Sequence, residues 1–134
     1  MLVKTITYED YNGEERTEDF YFNLTKAECL ELETSMDGGL SAYIRRISAA
    51  QNGPEIMALF KKVILMSYGI KSPDGKRFEK SEKISKEFEE TPAYSELIME
   101  IVTGGAEAAA KFINAIVPED KDGKVASIQP VENK

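Results

Sequence analysis

LVKTITYEDYNGEERTEDFYFNLTKAE, residues 2–28, decides the fold. Residues 2–9 and 15–22 alternate and are rich in β-branched and aromatic types, with Tyr11-Asn12-Gly13 between them, which reads as a β-hairpin. A two-residue Asn12-Gly13 turn would set Thr5 opposite Phe20 and Val3 opposite Phe22, mixing polar and apolar residues on both faces. A three-residue loop with Gly13 left-handed instead opposes Leu2 to Phe22 and gathers Ile6, Tyr8 and Phe20 on that face. The second register is preferred. It leaves Lys4 on the apolar face, where its ammonium must snorkel to the edge. A lone hairpin is marginal in water, so this face must lie on helices or pair with another chain.

From Thr25 the period changes to helical. Thr25-Lys26-Ala27-Glu28 matches a capping box, and the helix it opens runs to about Met36 before Asp37-Gly38-Gly39. A second helix spans Leu40 to Gln51, with Leu40, Tyr43, Ile44 and Ile47 on one face and Asn52-Gly53 as its stop. Pro54 opens a third, running to about Tyr68 and ended by Gly69. Ile70 to Lys80 reads as a turn-rich excursion around Ser72-Pro73-Asp74-Gly75, with a small hairpin through Lys76-Arg77-Phe78. Ser81 caps a helix over 82–90 whose narrow stripe, Ile84 and Phe88, predicts a surface position. Thr91-Pro92 starts a further helix with Tyr94, Leu97, Ile98, Ile101 and Val102 on one face. Gly104-Gly105 breaks it, and Ala106 to Val117 forms the last, presenting Ala109, Phe112, Ile113 and Ile116. The residues after Pro118 lack periodicity and aromatics and predict a disordered tail over 119–134. The expectation is therefore an α+β, predominantly α fold: a hairpin over 2–22, then five to six short helices over 25–117, in one globular domain over 1–118.

Composition narrows function. A chain of 134 residues has material for one core. No apolar run approaches the roughly 18 residues that cross a bilayer, so no membrane partner is expected. The start, MLVKTITYED, lacks the basic and apolar regions of a secretory signal, and one cysteine cannot form an internal disulfide, which fits a cytoplasmic setting. With 17 Lys and Arg against 24 Asp and Glu, the net charge of −7 disfavours nucleic acid. The one basic segment holds Arg45, Arg46, Lys61 and Lys62 in two pairs on separate helices, the pattern of solvated faces or of contacts to acidic protein.

Chemistry is narrowed further by the absence of histidine, which excludes Ser-His-Asp and Cys-His arrangements and histidine-containing zinc sites. Glu14-Glu15, Glu18-Asp19 and Glu89-Glu90 are neighbours pointing in different directions, better suited to solvent than to a catalytic dyad. Cys29 lies in the first turn of a helix, where a thiol is activated in some enzymes, but Cys29, Leu32 and Met36 read better as a buried stripe. The glycine pairs lack phosphate-loop spacing, and Asp120-Lys121-Asp122-Gly123 lacks the rest of a calcium loop. No catalytic, cofactor or metal residue is assigned. The third helix stands out. Ile56, Phe60, Val63 and Ile64 form one stripe, while Met57, Leu59, Leu65 and Met66 lie on or beyond its borders, so the helix is apolar over most of its circumference. It is either a central core helix or a surface lent to another protein, for which adaptable methionines are suited. Met57, Leu59 and Met66 are the candidate partner-binding residues. The small-residue run Ala106, Ala108, Ala109 and Ala110 permits close helix approach within the chain or across an interface.

Four segments in order, KTITYEDYNGEERTEDFYFNLTKAE (4–28), GGLSAYIRRI (38–47), SYGIKSPDGKRFEKS (67–81) and TPAYSELIMEIVTGGAEAAAKFINAIVP (91–118), resemble the tail assembly chaperones of long-tailed bacteriophages, particularly phages and prophages of Gram-positive bacteria. The resemblance implies a non-enzymatic assembly factor without cofactor. Such proteins bind the helical tape measure protein in the host cytoplasm, keep it soluble while tail tube protein polymerises around it, and are absent from the mature virion. It also implies a longer frameshifted form whose extension recruits the major tail tube protein. A homo-oligomer, formed through the hairpin edge or the alanine-rich helix, is a further expectation. The rival readings are a small enzyme using acidic residues and a small acidic phage-encoded inhibitor or decoy of a basic host protein.

Overall fold

The computed structural model describes residues 1–35, 37–50 and 53–118. Strands β1 (Leu2–Glu9) and β2 (Glu15–Phe22) pair antiparallel with Leu2 opposite Phe22, Ile6 opposite Glu18 and Tyr8 opposite Arg16. This is the register in which the apolar face is continuous. Ile6, Phe20 and Phe22 are buried on that face, while Val3, Thr5 and Thr7 on the other are exposed. Gly13 has φ +83°, as the left-handed position of the loop requires.

Asp10 organises the turn. Its carboxylate accepts from the Arg16 Nε–H at 2.6 Å and from the backbone N–H groups of Asn12 and Glu14. The Arg16 hydrogen bond above all, then the Glu14 N–H, holds this carboxyl below its ordinary value of 3.8. A depressed carboxyl stabilises the fold above its unfolded value and ceases to do so as pH falls through the folded one. Amide exchange at Gly13 and Glu14 is therefore expected to accelerate as pH drops below 3.8, after correction for intrinsic rates, and to be unaffected above it. An Asp10→Asn variant already fast at neutral pH and flat across that range is the matching control.

Helix α1 (Lys26–Thr34) begins with the expected capping box: Thr25 Oγ1 accepts from Glu28 N–H, and the Glu28 carboxylate accepts from Thr25 N–H. It buries Cys29 and Leu32, the core reading of that stripe; Met36 is outside the described residues. Helices α2 (Gly39–Ala50) and α3 (Gly53–Ser67) follow. Tyr43 of α2 packs against the core.

Strands β3 (Tyr68–Lys71) and β4 (Phe78–Glu79) form a small hairpin, as the turn-rich excursion over 70–80 suggested, inside the 25–117 span otherwise expected to be helical. What was not expected is that β3 begins at Tyr68 and pairs with β2, Tyr21 opposite Gly69 and Phe22 opposite Tyr68. The four strands make one antiparallel sheet in the order β1-β2-β3-β4. The physical reason is backbone pairing: β3 occupies the edge of β2 that an isolated hairpin leaves open. The turn between β3 and β4 is closed by Ser72, whose Oγ donates to Asp74 and accepts from Arg77 N–H.

Helix α4 (Glu82–Glu89) is capped by Ser81 and lies at the surface, as expected, with one residue set into the core. Its Phe88 is buried and stacks on Tyr68 with centroids 4.2 Å apart and planes 12° from parallel, beside Phe20 and Phe22. A two-residue stripe suffices here because one residue is a ring set into an aromatic cluster. Helix α5 (Pro92–Ile116) starts with Thr91 as N-cap and Pro92 in its first turn. The expected break lies at Gly105, whose φ of 74° and ψ of −160° belong to glycine alone, so α5 is two helical halves meeting at a kink.

One hydrophobic cluster joins the sheet to the helices, from Ile6 and Phe22 through Leu24, Leu32 and Ile64 to Leu97 and Ile113. The helices meet the sheet's even-numbered face, α5 under β1 and α4 under β3. Lys80 fastens the far side: its ammonium donates to the Asn23 carbonyl and the Glu28 carboxylate, each at 2.7 Å. No helix among the described residues is long and apolar enough to cross a membrane. The tail expected over 119–134 lies outside the described residues.

Candidate functional site

The three residues singled out on α3 do not converge. Leu59 is 4% exposed and belongs to the core, Met66 is partly buried against it, and Met57 is exposed. At 100° per residue, nine positions put Met57 and Met66 on opposite sides of the helix. Phe60, Val63, Ile64 and Ser67 are all buried, so α3 is chiefly a core helix in this structure, with Met57 at its accessible border.

Among the described residues an opening in the surface lies elsewhere, between the start of β1 and the two halves of α5. It has a volume of about 550 Å³. Its floor is Leu97 and Ile101 from the first half and Phe112 from the second, all buried. Leu2, Ala108 and Ala115 form its walls. The small side chains of Ala108 and Ala115 sit seven positions apart on one helix face, and they hold the groove open where larger residues would fill it. Gly104 stands against Ala108 at the kink, so closely that an added Cβ would come 2.5 Å from the Ala108 methyl.

Charge is confined to the rim. Lys4 does what its place on the apolar face demands: its stem follows the groove and its ammonium forms an ion pair with Glu100 of α5. Lys111 is the second cation of the rim and is exposed. Two further apolar side chains, Met99 and Val102, are exposed on the first half of α5, 60% and 51% respectively. Val102 was expected on the buried face; the stripe instead narrows to Leu97 and Ile101, with Tyr94 and Ile98 partly buried.

The groove was not assembled by sequence reasoning. Two of its signals were visible separately, an unmatched Lys4 on an apolar face and a run of alanines on the last helix, but residues 4 and 108 are brought together only by the packing of α5 under β1. Among the described residues no group of three or more Cys, Asp or Glu side chains is placed to hold a metal ion. What the arrangement offers is shape and apolar area with a polar rim, the ingredients of a docking surface for another chain.

Fold and groove together define a class, the small mixed proteins in which a short antiparallel meander lies on a layer of helices. Within it the chain belongs to a phage tail assembly chaperone family, whose model matches residues 1–132. Its partners are therefore tail proteins. No curated protein and no solved structure matches the chain.

Proposed function

We propose that this chaperone binds the tape measure protein in the host cytoplasm, keeps it soluble, helps bring tail tube protein to it, and leaves before the virion is mature. The observation that carries this reading is the half-open apolar groove in an acidic member of a tail assembly chaperone family. A tape measure chain is rich in amphipathic helix, which aggregates when its apolar stripe is left in water. Laying that stripe over Leu97, Ile101 and Phe112 covers it, while the net charge of −7 keeps the complex dispersed. Many copies along one tape measure chain turn weak single contacts into avid binding. In this reading no covalent bond is made or broken and no cofactor takes part; a longer frameshifted product carries the contact to tube protein, and association between copies adds to the avidity.

Binding of a tape measure fragment, followed by fluorescence anisotropy, tests it. Ala108→Glu and Ala115→Glu, each checked for an unchanged circular dichroism spectrum and cooperative melting, are expected to weaken binding about tenfold or more, because a carboxylate then sits where apolar surface should be covered. Met57→Asp together with Met66→Asp tests the α3 border separately. Affinity unchanged in every one of these folded variants removes the groove and the α3 border from the account. Binding lost as salt rises, with basic host proteins bound equally well, favours the acidic decoy instead, since screening weakens charge contacts and leaves apolar ones in place.

A further inference from the structure

We infer that β1 is an interface between two copies of this chain, which pair their β1 strands antiparallel about a two-fold axis at Thr5. The first observation is an account of backbone hydrogen bonds. Asp10 N–H donates to the Glu14 carbonyl at 2.8 Å, which makes these two a hydrogen-bonded pair. Stepping back by two along the register, Tyr8, Ile6, Lys4 and Leu2 are the residues of β1 that exchange hydrogen bonds with β2. Asn23 N–H, which donates to the Ser67 carbonyl, shows the complementary half, the odd positions of β2 facing β3. The N–H and C=O groups of Val3, Thr5 and Thr7 therefore point away from β2, and among the described residues β1 pairs with no other strand. Such a row is completed by another strand.

The second observation is that this edge lacks the usual protections. The opposite edge, β4, is two residues long and flanked by Lys76, Arg77 and Lys80. By contrast β1 runs for eight residues without proline or bulge, and its one lysine is turned to Glu100 of α5. Its outer hydroxyls are drawn toward β2: Thr5 donates to Asp19 at 2.6 Å, and the Thr7 and Thr17 hydroxyls share a hydrogen bond at 2.9 Å. The third is self-complementarity. With Thr5 opposite its own copy, Val3 faces Thr7, so every pair on the outer face is β-branched, and Lys4 faces Ile6, so no like charges meet. An axis at Lys4 would oppose two ammonium groups, and one at Ile6 would set Val3 against Glu9. The alanine-rich helix is the weaker interface, since Ala109 is buried and Ala108 packs beside Gly104 in the groove. In the pair, Leu2 at the groove wall stands opposite Tyr8 of the second copy, and both grooves open on one side of a continuous sheet. Their Leu2 walls lie six residues, about 20 Å, apart along the strands. That one amphipathic helix engages both grooves rests on the proposed function; the strand pairing does not.

The test uses the full chain. Sedimentation equilibrium is expected to show the mass rising with concentration to twice that of one chain. Thr5→Pro removes an N–H that β2 does not use, a change that edge strands tolerate, and should raise the dimer dissociation constant about tenfold or more with an unchanged circular dichroism spectrum. Cysteine linking reads the register and decides the matter even where the proline variant does not fold. Opposed residues of a hydrogen-bonded pair have Cα atoms about 5.5 Å apart, within disulfide reach, so diamide should link Thr5→Cys to its own copy. Val3→Cys and Thr7→Cys should each stay unlinked alone and link when mixed. Cys29 is buried at 1% exposure and does not compete. A single-chain mass at every concentration overturns the proposal. So does a dimer in which Thr5→Cys stays unlinked, or in which Val3→Cys alone links as readily. A dimer of the expected register that ignores tape measure fragments would count against the proposed function while leaving the pairing as measured.

Discussion

Phe22→Ala is expected to destabilise the protein by about 3–5 kcal/mol, the range for deleting a fully buried aromatic side chain. Phe22 has no exposed surface and meets residues of four other elements. In the sheet it faces Leu2 of β1 on one side and Tyr68 of β3 on the other. Beneath the sheet its ring meets Phe88 of α4 edge-on at 5.7 Å and Phe112 of α5 at 5.5 Å. No single neighbour can move into the space, because each is fixed by a different element, so a cavity remains and its cost adds to the lost transfer energy. Against a usual total of about 5–15 kcal/mol, this loss leaves little. Urea denaturation is the measurement, with the midpoint falling and the slope unchanged. Tyr11→Ala, at the hairpin tip and 83% exposed, is the comparison and should stay within about 0.5 kcal/mol of the parent. A Phe22→Ala loss below about 1 kcal/mol would mean that the sheet and helices do not share one close-packed core.

Gly69→Ala is expected to cost about 1–3 kcal/mol, the range for forcing atoms into a filled site. Conformational freedom is not the reason, since Gly69 is not among the glycines with positive φ. Space is. A Cβ built there lies 2.6 Å from the Phe78 ring and 2.9 Å from the Glu79 carbonyl oxygen. The ring belongs to a side chain and can swing aside, but the carbonyl is backbone of β4, the strand next to β3. Either β4 moves or the pairing of Gly69 with Tyr21 opens. Faster amide exchange in β3 and at Tyr21, with the β1–β2 hairpin unaffected, is the expected signature beside a lowered midpoint. Gly75→Ala is the contrast: nothing lies within 4 Å of its Cβ position, and any cost comes from its φ of +77° alone.

Gly75, within Ser72-Pro73-Asp74-Gly75, was legible as turn chemistry because the cause of the turn lies in four adjacent residues. Gly69 was legible only as the end of a helix, because what demands a glycine there is a ring nine residues further on and a carbonyl on another strand. Phe88 illustrates the same limit. Its spacing from Ile84 marked the face of α4 correctly, but a two-residue stripe carries no sign of the Tyr68 ring on which it stacks. On α3 the breadth of the apolar surface was plain, yet not which part of it faces outward. The structure buries Leu59, leaves Met57 exposed and places Met66 between them.

By itself the sequence determined the hairpin register, the caps at Thr25, Ser81 and Thr91, the break at Gly105 and the mainly helical α+β composition. These follow from hydrogen bonds and steric limits acting within a few residues, or from a period that allows only one apolar face. Tertiary structure alone decided that β3 joins β2, that Phe88 anchors α4 in the core and that an opening remains between β1 and α5. Each of these depends on groups far apart in the chain whose fit is settled by volume: Ala108 and Ala115 are too small to close the space that Leu2 and Phe112 border, and no local pattern records what stands across from them.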